Sequence, residues 1–348
     1  MGFVDIIKLI TSEMSLAVAA ILISGVVFVN GWTDAPGAIT ASVSTGALKM
    51  KQAALLAAVF NFIGAVTMGI LNTSVARSVG NIALMIGQNE NSIIVLCAAM
   101  MSIILWATGA WYFGIPTSES HALISGILGA AIAGGSRITS DSIQVLKLAV
   151  FGLIFSLPLG GISGYLMAKI INRVANITKV SPKIIKGLQI TGAASMAFVH
   201  GAQDSQKFVG VLIAALCMSH NAPPELGLFN SPISVIIVFS LLIAIGTSVG
   251  GYRIIKRVGM STVNLTPEKA LAADISASIC MLWASLGGIP VSTTHTGGAS
   301  IIGAGISEKG DKLNITSLKE MLIAWFLTFP CCGALSYLIV KFVLGILG

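Results

Sequence analysis

Long apolar runs separated by short polar interruptions set the pattern of this chain. The first run extends from Met14 to Val29, breaks at Asn30-Gly31-Trp32-Thr33-Asp34-Ala35-Pro36-Gly37, and resumes from Ala38 to about Ala47. Others cover about 53–71, 92–113, 143–167, 233–251, 270–286 and 321–347. A helix of about 20 residues spans the hydrocarbon core of a bilayer, so these runs predict transmembrane helices. Charge at such depth is costly and marks a functional site by default. Gly and Pro open the backbone, which is tolerated at membrane depth only against protein or a wet cavity. The 30–37 stretch therefore predicts a helix broken inside the membrane. Its pattern returns at Val199-His200-Gly201-Ala202-Gln203-Asp204-Ser205-Gln206-Lys207, after an apolar lead from Ile190, and predicts a second broken segment over about 189–218.

A second motif is also duplicated. Gly114-Ile115-Pro116-Thr117-Ser118-Glu119-Ser120-His121 and Gly288-Ile289-Pro290-Val291-Ser292-Thr293-Thr294-His295 share Gly, Ile, Pro, Ser and His in register, and each opens a short Gly-rich apolar segment. Two motifs repeated at nearly one offset predict two structural repeats, residues 1–180 and 181–348. Counting about five crossings per repeat, an odd number, turns the second repeat upside down relative to the first. Lys49 and Lys51, the basic stretch Lys169–Lys186, and Arg253–Lys269 then share one side, which the positive-inside tendency makes cytoplasmic. The loops at 81–91 and 220–230 and both termini fall outside, with Arg137 as a dissenting external charge. The predicted fold class is an all-α integral membrane protein: two inverted-topology repeats with broken helices and Gly-rich re-entrant or half-helix elements. That architecture belongs to secondary transporters, with the site at the midplane.

Composition agrees. Hydrophobic residues make up 55% of the chain and charged residues 9%, against about 25% charge in soluble domains. The alternating pattern of an outer-membrane barrel is absent. The 38 glycines suit close helix packing. The net charge of +7 is assigned to orientation rather than to an anionic macromolecule. Five cysteines without a C-x-x-C pair predict neither a disulfide framework nor a metal centre, and the first apolar run carries no small-residue cleavage site.

The motifs suggest what crosses. Pro pre-organises a helix start, and the free N–H groups there attract anions. Two such starts, carrying Thr117, Ser118 and Ser120 in one copy and Ser292, Thr293 and Thr294 in the other, would converge on a tetrahedral oxyanion. No Arg is near, so neutral donors carry most of the load. Asp34 and Asp204, with oxygens from Asn30, Thr33, Gln203 and Ser205, suit hard cations such as sodium. Paired cation sites flanking one anion would explain coupling. His200 stands where the first copy has Asn30 and is a candidate ligand. Gln203 is also counted with the anion donors. Glu119, matching Thr293, is a candidate ligand or gate. His121 and His295 are expected to orient the Gly-rich segments by hydrogen bonds. Lys207 can pair with Asp204, but the first copy has Gly37 there, so pairing does not explain both aspartates. Asp274 has no acidic counterpart, and its role stays open.

These residues resemble the inorganic phosphate transporter (PiT) family. Its duplicated Gly-x-x-Asp motif is similar to Gly31-Trp32-Thr33-Asp34 and Gly201-Ala202-Gln203-Asp204, and its Gly-Ile-Pro elements match as well. The chain departs from the family pattern at Thr33 and Gln203, usually Asn, and at Pro36-Gly37. The resemblance implies phosphate uptake driven by sodium or protons. The expected protein is a multi-pass plasma-membrane symporter, not an enzyme, with phosphate and sodium as co-substrates, no cofactor, no nucleic-acid partner and possible homodimerisation. Phosphate is placed at Thr117, Ser118, Glu119, Ser120, Gln203, Ser292, Thr293 and Thr294. Sodium is placed at Asn30, Thr33, Asp34, His200 and Asp204. Proton coupling, another oxyanion such as sulfate, and a channel are the rivals. An intramembrane hydrolase lacks a motif such as H-E-x-x-H.

Overall fold

A computed structural model describes residues 3–136, 140–220, 233–249, 252–255 and 262–347. Arg137, the 221–230 part of the expected external loop, and the basic residues Lys256 and Arg257 lie outside them. Among the described residues there is no strand, only an isolated bridge between Val263 and Leu313.

The first half contains α1 (Phe3–Ser12), α2 (Met14–Thr33), a tight turn at Ala35–Ile39, α3 (Thr40–Ser44), α4 (Met50–Leu71), α5 (Ser74–Ala83), α6 (Ser92–Tyr112), α7 (Glu119–Ala133) and α8 (Ser140–Thr178). The second contains α9 (Pro182–Ser219), α10 (Ile233–Val249), α11 (Tyr252–Ile255), α12 (Pro267–Leu286), α13 (Thr293–Gly305) and α14 (Ile315–Leu347). Among the described residues, six stretches are long and apolar enough to cross a membrane: 14–44, 50–71, 92–112, 146–178, 267–286 and 315–346. Exposed Ile154, Ile162 and Leu166 on α8 and Phe326, Leu338 and Phe342 on α14 give these helices apolar outer faces suited to lipid.

The broken-helix expectation holds in one copy only. α2 stops at Thr33, and Pro36, lacking an N–H, cannot donate back to Trp32, so the chain tightens over Ala35–Ile39 before α3 begins. The second copy has Ser205-Gln206-Lys207 at the corresponding place, with full backbone donors, and α9 runs through Asp204 without interruption for 38 residues. The connection between the apolar runs 53–71 and 92–113 is itself helical over α5. The basic stretch 169–186 is mostly the facing ends of α8 and α9, joined by Lys179–Ser181.

Each Gly-rich segment forms a hairpin with the helix before it. Gly114 and Gly288 both adopt φ of +67°, which glycine takes without strain. Ile115 N–H donates to Ala110 O (2.8 Å) and Gly114 N–H to Trp111 O (2.9 Å), with the same pair at Ile289–Ala284 (2.9 Å) and Gly288–Ser285 (3.1 Å). Both α6 and α12 thus end in a Schellman motif. The far end of α7 returns to the start of α6, where Ser136 Oγ donates to Ile86 O at 2.6 Å. The chain after α13 returns to the approach to α12, where Asn314 N–H donates to Thr262 O at 2.9 Å. Each Gly-rich segment therefore folds back along the whole length of the helix before it.

The halves interlock. α2 packs on α6 and α10, while α9 packs on α12 and α4; α7 lies on α14, and α13 on α8. Glycine permits the last two approaches. A Cβ at Gly129 would sit 2.1 Å from Gly333 O, and one at Gly303 would sit 2.0 Å from Gly161 O. Small residues at such crossings let backbones touch and replace the missing hydrophobic drive between helices in lipid.

Candidate phosphate and cation site

The two hairpin tips meet head to head beside the Asp motifs. Ser118 and Ser292 are the N-caps of α7 and α13, accepting from the backbone N–H of His121 (3.2 Å) and His295 (3.1 Å). Their hydroxyls also bond to each other at 2.7 Å. One behind each cap, the rings of His121 and His295 stack with centroids 4.3 Å apart, and His121 Nδ1 is 2.8 Å from Ser118 Oγ. His121 thus makes the hydrogen bond expected of an orienting residue, whereas His295 contributes its ring stack on His121 and Trp325 rather than the expected hydrogen bond. Two helix N-termini, each with a partial positive charge, face a common point.

The carboxylates converge on the same place. Asp34, at the end of α2, accepts from Thr293 Oγ1 at 3.0 Å and from Thr294 Oγ1. Thr294 also lies 3.1 Å from Thr117 O, tying the two tips together. Glu119 accepts from Thr33 Oγ1 at 2.7 Å. Asp204, on α9, accepts from Asn30 Nδ2 (3.0 Å) and Lys207 Nζ (2.6 Å), and His200 Nε2 lies 3.4 Å away. Gln203 Nε2 reaches Ile289 O at 3.3 Å, and Ser120 Oγ donates to Val291 O at 3.1 Å. Every site residue named from the sequence is buried except Thr294, which is half-buried.

The separation into anion and cation residues is not kept by these contacts. Thr293 and Thr294, expected on the anion, hold the carboxylate of Asp34. Thr33, expected on the cation, holds Glu119. The hairpin tips lie directly on the Asp motifs, so hydroxyls serve both sets.

Several groups could hold an ion. Asp34, His200 and Asp204 each offer a ligand atom, and these atoms lie within 4.8 Å of one another. Asn30 Oδ1, Glu119 Oε2 and Gln203 Oε1 are buried oxygens without a hydrogen-bond partner. Buried acceptors left unpaired cost about 1–3 kcal/mol each, and a cation would satisfy them. Asp274 is buried elsewhere, against Gly192 of α9, where a Cβ would come 3.2 Å from the Asp274 Cβ.

Two contributors escape sequence reasoning. The motif pairs Lys207 only with Asp204, yet its ammonium also donates to Ser120 Oγ (2.6 Å) and Val291 O (3.2 Å), one from each tip. Asn61 of α4 donates to Thr247 Oγ1 (3.0 Å), and its Oδ1 lies 3.2 Å from His200 Nδ1. Its signal is a carboxamide within an apolar span.

The profile of the phosphate transporter family matches residues 30–336, which takes in both Asp motifs and both hairpin tips. The chain belongs to this family. A Bacillus subtilis protein named "Probable low-affinity inorganic phosphate transporter" is 35% identical over 324 residues, covering 91% of this chain and 94% of the relative. A Rhizobium meliloti protein of the same name is 32% identical, covering 89% and 91%. A solved structure named "The sodium-dependent phosphate transporter" superposes with a TM-score of 0.80 at 20% identity, covering 96% of this chain and 100% of that one, and confirms the all-α membrane fold. This family member is a membrane phosphate transporter and not an enzyme.

Proposed function

We propose that this transporter is a cation-coupled phosphate symporter that works by alternating access. Phosphate binds where the starts of α7 and α13 meet, using their backbone N–H groups and the hydroxyls of Thr117, Ser118, Ser120, Ser292, Thr293 and Thr294, with Gln203 at the edge and Glu119 as acceptor for a phosphate proton. The driving cation binds at Asn30, Thr33, Asp34, His200 and Asp204. The observation that carries this reading is the shared shell: Thr293 and Thr294 belong to a hairpin tip and bond to Asp34. An ion at Asp34 and an anion at the tip would draw on the same hydroxyls, so each changes the other's affinity, which is the energetic content of coupling.

Sodium is the favoured ion, because the carboxylates come with neutral oxygens and unpaired buried acceptors. The similarly folded solved protein is sodium-dependent by name, which points the same way. The orientation inferred from the basic residues, with both termini external in the plasma membrane, belongs to this proposal, as does the inverted relation of the two repeats. Alternating access would rock one interlocked group of helices against the other.

The test is radiolabelled phosphate uptake by purified protein in proteoliposomes. An inward sodium gradient should drive accumulation, and excess unlabelled sulfate should leave it intact. Accumulation driven only by a proton gradient would reassign the ion, and inhibition by sulfate would reassign the anion.

A further inference from the structure

We propose that Lys207 is a tethered cation filling the place of a second coupling ion, so that one mobile cation, not two, accompanies each phosphate. This inference rests on the symporter reading above and specifies its stoichiometry.

The two Asp motifs predict two equivalent cation sites. The structure makes them unequal. At Asp204 both carboxylate oxygens have donors: Oδ1 takes the Lys207 ammonium, and Oδ2 takes Asn30 Nδ2 and faces His200. At Asp34 the donors are neutral hydroxyls, Thr293 and Thr294. The residue matching Lys207 is Gly37, which has no side chain, so its own segment brings no ammonium to Asp34.

Lys207 is placed as an ion would be. It is 2% exposed, and its Nζ touches a carboxylate, a hydroxyl and a backbone carbonyl, the oxygen types that surround sodium in transporters. Its contacts reach both hairpin tips, so the charge lies between Asp204 and the proposed anion position. An ammonium carries its charge without an ion having to bind. The mobile ion is left with the Asp34 side of the cluster, where ligand atoms of Asp34, His200 and Asp204 lie within 4.8 Å of one another.

The measurement is the coupling ratio of the wild-type transporter, read as the phosphate gradient that just stops uptake against a clamped gradient of the driving ion. The expected result is about one ion per phosphate, with a Hill coefficient near one for that ion. Lys207→Gln should then bind a second ion where the ammonium was, raising the Hill coefficient to about two and requiring more of the ion for half-maximal uptake. Lys207→Arg should stay near one. A wild-type ratio of about two overturns the proposal, as does Lys207→Gln transporting with an unchanged coefficient. If Lys207→Gln does not fold or does not transport, the wild-type ratio still decides. Failure of the symporter reading looks different: neither a sodium nor a proton gradient would drive uptake by the wild type.

Discussion

Asp34 and Asp204 hold matching positions in the two halves, but the chain delivers them by opposite means. Asp34 lies at the end of a helix that stops, because Pro36 withholds a backbone donor, and its carboxylate is held by hydroxyls from the other half. Asp204 lies in the middle of a continuous helix and is held by a lysine three residues ahead and a histidine four behind. Residues three and four apart share a helix face, so the second site is largely built by α9 itself, whereas the first depends on tertiary contact. A charge held by its own helix is structural as well as functional. A charge held by a distant tip can release when the tip moves. That difference suits Asp34 to a mobile ion and Asp204 to a permanent counter-charge.

Removing each carboxylate should separate these roles. Asp204→Asn leaves the Lys207 ammonium buried without its partner, and stranding one member of a buried pair costs about 3–5 kcal/mol. A marked fall in thermal stability in detergent is expected, and an unaltered melting curve would show that Lys207 does not depend on Asp204. Asp34→Asn leaves no charge stranded, so the protein should melt nearly as the wild type does. Its ion-driven uptake should fall by about 100-fold, a loss of roughly 3 kcal/mol of coupling. Retention of full coupled transport would break the assignment of Asp34 as ion ligand.

Two smaller effects sharpen the picture. Gly303→Ala places a methyl 2.0 Å from the backbone oxygen of Gly161, and overpacking of this kind costs about 1–3 kcal/mol. Gly129→Ala, facing Gly333 on the other side, should cost a similar amount. Unequal losses in melting temperature would show that the two crossings do not share one design. Thr294→Val keeps the side chain's shape and removes a donor to Asp34. A hydrogen bond to a charged group contributes about 1.5–3 kcal/mol, so the ion concentration for half-maximal uptake should shift by about 10- to 100-fold. No shift would mean that Thr294 does not bear on the ion.

Some of the site is legible in the sequence because it is local. The break at Pro36 and the helix starts near the two Gly-Ile-Pro elements follow from backbone chemistry that neighbouring residues determine, although those helices begin at Glu119 and Thr293, three residues past the prolines expected to open them. The second expected break does not form. Its motif matches the first around the aspartate, but the helix breaker lies two residues later and only the first copy has it. The bonds from Thr293 and Thr294 to Asp34 are out of reach of such reasoning, since they join residues some 260 apart in sequence. Lys207 illustrates the same limit: its spacing reveals the pair with Asp204, but not the reach to Ser120 and Val291.

The sequence by itself determined most of the long apolar helices, the duplicated motifs, the family resemblance and the residues that meet at the hairpin tips, because hydropathy and turn chemistry act over a few residues. Tertiary structure alone decided the partners that lie far apart in the sequence. In an apolar interior a buried charge takes the donor that packing brings within about 3 Å, and here the interlocking of the halves supplied hydroxyls to Asp34 while the turn of α9 supplied an ammonium to Asp204.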